Sequence, residues 1–363
     1  MRPFSSLLIR QINQVLLVLV LGTVVLYFGR PVLVPLFYAI LFAMLMAPVC
    51  RWLDRYTIRA ISCTLCCLVL LIGFLLVLWL MVFQLSDFLK DIDIIREKMT
   101  QYWILFKEHV ESRFRVSQET QERIMQRQVA GMKEAPGSWM FRMGAGITGV
   151  IGTGGIVIVF TFLLLYHKEK YERFFLKLFA GEDKDEIKQI LEKITTISQK
   201  YLTGRILSML FLFVLYSIAL LIIGLKNALL LAGIASLLTI VPYIGPFVGG
   251  LFPVLTAFVT KDTSEAAIWT IVAMVAIQAV DNYFIEPNVI GGEVSLTALS
   301  TLVAILMGGI IWGVSGMILF IPMFGIAKIV FDHIDMLKPF GYVIGDEGES
   351  PSLKLLNLFK RKK

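Results

Sequence analysis

The sequence predicts an all-α membrane protein that crosses the bilayer several times, on three observations. Of its 363 residues, 57% are hydrophobic and only 17% are charged, whereas about a quarter of the residues in soluble domains are charged. Several charge-free runs are long enough to cross a hydrocarbon core about 30 Å thick. These runs lack the alternation of a β-barrel strand. We therefore predict about eight apolar segments, two of them broken or re-entrant helices, together with helical extramembrane segments.

The N-terminal region, 1–86, contains the first three predicted spans. They are 12–29, 31–50 and 60–86. Between the second and third spans, Arg51, Arg55 and Arg59 fall within nine residues. Positive charge concentrates in cytoplasmic loops. Because two spans precede this loop, we also expect the N-terminus in the cytoplasm.

Polar segments flank the fourth predicted span, which covers 143–166. Segment 87–142 has apolar residues spaced three and four apart, which is typical of an amphipathic extramembrane helix. Segment 167–205 begins with the basic amphipathic stretch HKEKYERFFLKLF and predicts cytoplasmic helices at the membrane surface. The tail, 338–363, ends in FKRKK, which is typical of a cytoplasmic terminus.

Region 206–337 is the predicted transport core, and its central feature is the charge-free run 227–260. As one helix, these 34 residues would extend roughly 51 Å, far more than the bilayer core. Proline removes a backbone donor and clashes with the preceding turn, so Pro242 predicts a break near Val241. Broken backbone at membrane depth is tolerated inside protein or beside a water-filled cavity, as at transporter binding sites.

A second charge-free run, 294–327, is also 34 residues long and is rich in glycine. Interrupted segments of matching length indicate an inverted repeat. Two topologies remain open: each run crosses once, or each forms a re-entrant hairpin, and the two hairpins enter from opposite faces. The residues predicted to interrupt helices are Pro242, Gly245, Pro246, Pro287, Gly308, Gly309, Gly313, Gly316 and Pro322.

Asp281 is the foremost candidate for the transport pathway, because it follows an apolar element without charge from Ala266 onward. Carboxylates within the membrane are costly and usually face a cavity or a partner. Proton uptake would remove that cost and couple transport to a proton or sodium gradient; the alternative is a carboxylate that caps the following turn at the interface. The other candidates are polar residues near Asp281 or near the break, namely Asn282, Gln278, Tyr243, Ser236 and Thr239. We assign Glu286 and Glu293 to a connecting loop.

Composition also argues against other function classes. The net charge of +7 arises from cations at the ends of apolar runs, which does not indicate nucleic acid. The chain contains no phosphate-binding GxxxxGK[ST] loop and no HExxH motif, so we expect neither a primary pump nor an enzyme. We expect no cofactor and no metal. The four cysteines, Cys50, Cys63, Cys66 and Cys67, are interpreted as buried apolar residues.

Several motifs together resemble the AI-2E family of transporters. They are VPYIGP at 241–246, Asp281-Asn282 with Pro287, and Gly308-Gly309 with Gly313 and Gly316-Met317. The resemblance implies a protein of the cytoplasmic membrane with both termini in the cytoplasm and homo-oligomeric assembly. It implies export of a small polar solute such as autoinducer-2, with H⁺ or Na⁺ as coupling ion. Sodium/proton exchange and a non-transporting scaffold for envelope assembly remain alternatives.

Overall fold

The computed structural model describes residues 6–90, 136–178, 184–260, 264–289 and 296–346, and nearly all of them are helical. The helices are α1 Ser6–Phe28, α2 Arg30–Leu53, α3 Arg59–Lys90, α4 Pro136–Tyr166, α5 Lys168–Leu178, α6 Lys184–Ile222, α7 Ala228–Leu238, α8 Ile244–Thr260, α9 Ser264–Val280, α10 Glu286–Val289, α11 Ala298–Trp312, α12 Val314–His333 and α13 Lys338–Ile344. A π-helical turn, Asp281–Ile285, joins α9 to α10. Most of the predicted amphipathic segment 87–142, Glu293 and the basic end of the tail lie outside these residues.

The predicted class is confirmed, because the described part of the chain contains six helices long and apolar enough to cross a membrane. They lie within α2, α3, α4, α6, the continuous stretch from α9 to α10, and α12. Helix α6 unites two predicted elements, since the cytoplasmic helix before residue 205 runs directly into the fifth span over 39 residues.

The first two predicted spans are not joined by a loop that would let them pack antiparallel. Only Gly29 separates α1 from α2, and its φ and ψ of −74° and −4° are close to helical. Antiparallel helices need a connection of at least about two residues, so the two helices form one bent helix. Pro31 explains the bend, because its ring excludes the carbonyl of Tyr27 and it donates no hydrogen bond. The predicted spans 12–29 and 31–50 are therefore parts of one bent helix, and the cytoplasmic placement of the N-terminus stays a prediction.

The chain divides into two compact units. The first consists of residues 1–70, 157–209 and 280–363, and the second consists of residues 71–156 and 210–279. The two interrupted runs fall in different units, since 227–260 belongs to the second unit and 294–327 to the first.

In the second unit, run 227–260 forms a helical hairpin made of α7 and α8, which we call the first hairpin. A turn at 239–243 separates the two helices, so the break predicted near Val241 is confirmed. The helices pack closely and antiparallel: a Cβ added to Gly249 would lie 2.9 Å from the carbonyl oxygen of Ala235, and one added to Gly245 would overlap the carbonyl of Leu238.

In the first unit, α11 and α12 form the second hairpin, which reverses at Gly313 with φ +65°. Its helices touch through backbone, because a Cβ on Gly308 would collide with the carbonyl of Gly316, and the reverse is also true. The two ends of the hairpin region are joined as well. Leu296 forms an antiparallel bridge with Gly345, and the amide of Thr297 donates to the carbonyl of Ile344 at 3.0 Å.

The structure therefore gives a hairpin, and not a single continuous helix, for each long run. Gly313 and Pro242 lie in the turns as predicted, and Gly245 and Pro246 lie in the first turn of α8. The prediction that Gly308, Gly309, Gly316 and Pro322 interrupt helices is wrong, since they lie inside α11 or α12. The first three glycines allow close helix packing instead. A proline within a membrane helix is tolerated when its neighbours compensate for the lost hydrogen bond.

Pro287 also fails to end its helix, because α9, the π turn and α10 are continuous from Ser264 to Val289. In an α-helix its ring would clash with the carbonyl of Tyr283, four residues earlier. The π-helical turn lies directly before Pro287 and accommodates this conflict by widening the helix.

Candidate functional site

A buried polar stripe runs along α6 in the first unit. Its members recur every three or four residues, so they share one face of the helix. They are Ser198, Tyr201, Arg205 and Ser208, with 2%, 7%, 6% and 0% of their surface exposed. Because α6 is a candidate membrane span, burial of an arginine on this face carries a substantial energetic cost.

Two carboxylates of the helix from α9 to α10 belong to the same unit as this stripe. Asp281 is 3% exposed and Glu286 is half-buried. In an α-helix five residues make about 1.4 turns, so these side chains would diverge. The π turn closes a bond between the amide of Glu286 and the carbonyl of Asp281, which stacks residues five apart. The wide turn therefore brings both carboxylates to one side.

The stripe and the carboxylates interact. The hydroxyl of Ser208 donates to Oδ1 of Asp281 at 3.1 Å. Glu286 lies within electrostatic range of both Arg205 and Asp281, and Tyr201 lies within range of Arg205 and Glu286. We call Ser198, Tyr201, Arg205, Ser208, Asp281 and Glu286 the charge cluster.

Two atoms of the charge cluster are buried without a hydrogen-bond partner among the described residues. They are Nε of Arg205 and Oγ of Ser198. Buried polar atoms are nearly always satisfied, so each exception requires an explanation, such as a functional role or a bound water or ion. The two atoms share one helix face, and Arg205 lies within electrostatic range of Glu286, which makes this part of the cluster suitable for binding a small polar solute or an ion.

The second hairpin packs against this region. Tyr201 forms an apolar contact cluster with Ile305 of α11 and Ile321 of α12, and Leu202 and Met317 pack around it. The tyrosine ring therefore connects the polar face of α6 to both helices of the hairpin.

The structure brings Asp281 into this cluster but distributes the other predicted residues elsewhere. Asn282 is exposed. Gln278 belongs to the second unit, where its Oε1 accepts a bond of 3.4 Å from the hydroxyl of the buried Tyr216. Tyr243 is 62% exposed and occupies the left-handed region with φ +64°. It forms the tip of the first hairpin.

Ser236 and Thr239 are both buried at the C-terminal end of α7. The hydroxyl of Ser236 donates to the carbonyl of Gly233 at 3.1 Å, and that of Thr239 donates to the carbonyl of Ser236 at 2.5 Å. The carbonyl of Ser236 belongs to the last turn of α7, where carbonyls lack intrahelical partners, and the hydroxyl of Thr239 supplies one. The turn also satisfies the amides of Ile240 and Val241, which donate to the carbonyls of the last turn of α7.

Sequence reasoning missed Arg205 and misplaced Glu286. Arg205 marked the boundary between a cytoplasmic helix and a span, so its place on a face with Tyr201 and Ser208 was not considered. The spacing of four and three residues was the available signal. Glu286 was assigned to a connecting loop, but it lies in a continuous helix.

The predicted burial of the cysteines is confirmed, since Cys50, Cys63, Cys66 and Cys67 are all buried. Sγ of Cys50 lies 3.6 Å from Sγ of Cys63. Among the residues that the structure describes, no group of three or more metal-binding side chains is placed to hold an ion.

Comparison with known proteins finds similarity to one family of membrane transport proteins. Residues 16–336 match the family model described as AI-2E family transporter. The chain is 29% identical over 182 residues to YueF of Bacillus subtilis (strain 168), which covers 49% of each protein. It is 21% identical over 299 residues to YhhT of Escherichia coli (strain K12), which covers 82% of this chain and 83% of that protein. Both relatives are named as candidate transport proteins. The match with YueF therefore spans about half of that relative's length.

Proposed function

The chain belongs to the AI-2E family of transporters, and from this premise we propose that it is a secondary transporter that exports a small polar solute such as autoinducer-2. An ion gradient drives the export. The protein is a multi-pass membrane protein of a transport family. Substrate, direction and ion coupling are the parts that we propose.

The single observation that carries the proposal is the buried charge cluster around Asp281. A carboxylate that is 3% exposed, bonded to Ser208 and close to Glu286 has a large cost when charged in a dehydrated site. Binding of H⁺ or Na⁺ offsets that cost. An ion bound there therefore changes the energy of the cluster strongly, which is the requirement for coupling.

Arg205 has a complementary role in this proposal. Its Nε donor has no partner among the described residues, so it is available to an oxygen atom of the solute. A hydroxyl-bearing solute accepts from Arg205 and donates to Asp281 or Glu286. Tyr201 links these groups to the second hairpin through Ile305 and Ile321, so ligand binding and hairpin position are physically connected.

Re-entrant placement of the two hairpins is part of the proposal. Helices α7 and α11 contain 11 and 15 residues, which gives lengths of roughly 16 and 22 Å. Both are shorter than a bilayer core of about 30 Å, whereas α12, with 20 residues, is long enough to cross by itself. Because α11 packs on α12 through backbone, we propose that the two legs enter and return together. We further propose the cytoplasmic membrane, both termini in the cytoplasm and a homo-oligomer. With both hairpins re-entrant, α3, α4, α6 and the stretch from α9 to α10 cross the membrane four times. Cytoplasmic placement of both termini therefore requires that the bent helix formed by α1 and α2 enter and leave the membrane on the same face.

The test uses purified protein in liposomes with labelled autoinducer-2 on one side and an imposed pH or sodium gradient. We expect gradient-driven accumulation with the wild-type protein and at least a tenfold loss with Asp281→Asn. Glu265→Gln is the matched control, because it removes one exposed carboxylate from the first turn of α9 and should leave transport unchanged. Equal flux in protein-free and protein-containing vesicles under every gradient would contradict transport and favour a scaffold.

Sodium/proton exchange is a second candidate, favoured by the presence of two carboxylates around one arginine in the charge cluster. The same vesicles, with an internal pH dye and no solute, distinguish it. Proton movement on addition of Na⁺ that disappears in both Asp281→Asn and Glu286→Gln would support exchange. Proton movement that requires the solute would support coupled export.

A further inference from the structure

The connection between α2 and α3 carries exposed basic and aromatic side chains. Arg51 and Arg55 are exposed. Trp52 and Tyr56 are 56% and 73% exposed, and their rings meet edge to face with centroids 5.4 Å apart. Tryptophan and tyrosine concentrate at the level of lipid headgroups, where the ring is partly apolar and its polar atom reaches water.

Helix α5 combines the same two kinds of side chain. It follows the candidate span in α4 after a single residue, His167. At 100° per residue, its side chains separate into two faces. The apolar face contains Tyr171, Phe174, Phe175 and Leu178, and the adjoining basic face contains Lys170, Arg173 and Lys177. All seven side chains are exposed.

Arg59 holds these two segments together. One of its nitrogens, Nη1, lies 2.6 Å from Oε1 of Glu169 at the start of α5, and Nη2 donates to the carbonyl of Leu165 at 3.2 Å. The connection between α2 and α3 therefore lies beside the junction of α4 and α5. The ion pair also neutralises Glu169, one of the few carboxylates of this region.

We propose that residues 51–59 and α5 form a binding surface for anionic phospholipids, which we call the basic–aromatic surface. The two segments carry seven Lys or Arg and three Asp or Glu. Apart from Arg59, which pairs with Glu169, the cations bind the headgroup phosphates, and the aromatic rings lie between the headgroups and the acyl chains. This function is independent of the transported solute and goes beyond the proposed export.

The exposed apolar face favours a lipid over a soluble polyanion. Phe174 and Leu178 are 55% and 60% exposed, directly beside the basic face. A free phosphate or nucleotide would use the cations and leave these side chains in water. A bilayer surface satisfies both faces at once, because amphipathic helices lie in the interface with apolar residues among the acyl chains. Each cation near an anionic membrane surface raises affinity about fivefold.

The experiment is native mass spectrometry of the detergent-purified full-length protein during titration with phosphatidylglycerol or phosphatidylcholine. We expect preferential binding of phosphatidylglycerol that weakens as ionic strength rises. The triple variant Lys168→Gln, Lys170→Gln, Lys177→Gln should bind phosphatidylglycerol roughly a hundredfold more weakly. The corresponding Lys→Arg triple variant should retain binding, because it preserves the charge.

The matched control changes Lys184, Lys188 and Lys193 to glutamine. These exposed lysines lie on α6 outside the surface, so the same change in net charge should leave lipid binding intact. Equal losses in the two glutamine triples, or equal binding of the two lipids, would overturn the proposal. Displacement of bound lipid by millimolar inorganic phosphate would also overturn it, since it would indicate a site for free phosphate. Unchanged melting temperatures verify that the variants fold.

Discussion

The two hairpins arise from runs of equal length and each contains a turn residue with positive φ, but a buried tryptophan anchors the tip of only the second. The tip of the first hairpin is exposed: Tyr243 and Phe247 have 62% and 78% of their surface accessible. At the tip of the second hairpin Trp312 is fully buried, whereas Val314, on the other side of Gly313, is 65% exposed. The indole of Trp312 donates to the carbonyl of Leu26 at 2.8 Å, and its ring packs against Phe37.

This difference shows that a hairpin and its anchoring are separate features of the sequence. Each reversal contains one residue with positive φ, Tyr243 in the first hairpin and Gly313 in the second. Anchoring needs a partner elsewhere, and the second hairpin finds it at the bend between α1 and α2. Leu26 lies four residues before Arg30, where the helix bends, and its carbonyl accepts the indole hydrogen.

The largest expected effect concerns the membrane face on which each hairpin begins and ends, measured by the accessibility of introduced cysteines. We expect Asp262→Cys to react with a membrane-impermeant thiol reagent from outside intact cells, and Ile290→Cys to react only after permeabilisation. This follows if each run returns to the face that it enters. The reverse labelling pattern would mean that each run crosses once and that the comparison of two hairpins fails. The native protein is the control, because its four cysteines are buried.

Gly316→Val should destabilise the second hairpin strongly. Its side chain would enter the carbonyl of Gly308, and backbone offers less relief than a flexible side chain, so we expect a loss of about 3 kcal/mol in the free energy of unfolding. Denaturant unfolding in detergent measures this loss. Gly309→Ala is the control, since its Cβ would meet only the mobile end of Met317. Equal stability of the two variants would contradict the close approach.

Trp312→Phe tests the anchoring of the second tip. It removes the indole donor and leaves the carbonyl of Leu26 without this bond, which should cost about 1–3 kcal/mol. The matched control is Trp269→Phe, at a side chain that is 63% exposed, where the change should be close to zero. If both variants unfold alike, the hydrogen bond contributes nothing to the difference between the tips.

Tyr243→Gly should produce the smallest effect, in the stabilising direction. A left-handed residue other than glycine costs roughly 1–2 kcal/mol, so glycine should raise the free energy of unfolding by about 1 kcal/mol. Tyr243→Ala keeps the backbone cost and should show no gain. Reduced solute transport by the more stable glycine variant would indicate that the exposed ring contributes to function at the unanchored tip.

The sequence was sufficient to predict the fold class and the break near Val241, because proline and charge-free length are local signals. It did not separate glycines that turn the chain from glycines that allow packing. Gly313 and Gly316 are three residues apart. Gly313 turns the chain with a positive φ, whereas Gly316 allows close packing because it faces Gly308 on the other helix of the hairpin.

The candidate site was predicted only in part for a related reason. Asp281 was identified because a carboxylate in an apolar run is conspicuous by itself. Arg205 and Ser208 lie about 75 residues earlier and gain importance only through contact across helices. Glu286 required knowledge of the π turn, since an ordinary helix would direct it away from Asp281.

The direct backbone contact between Gly308 and Gly316 has a mechanical consequence. At this contact no side chain lies between the two legs of the hairpin, and a slip of α12 by one residue would replace Gly316 with Ser315 or Met317 and drive a Cβ atom into the carbonyl of Gly308. The legs therefore cannot slide past each other. Any displacement that accompanies a transport cycle must carry both legs together as a single rigid lever, with its fulcrum outside the hairpin.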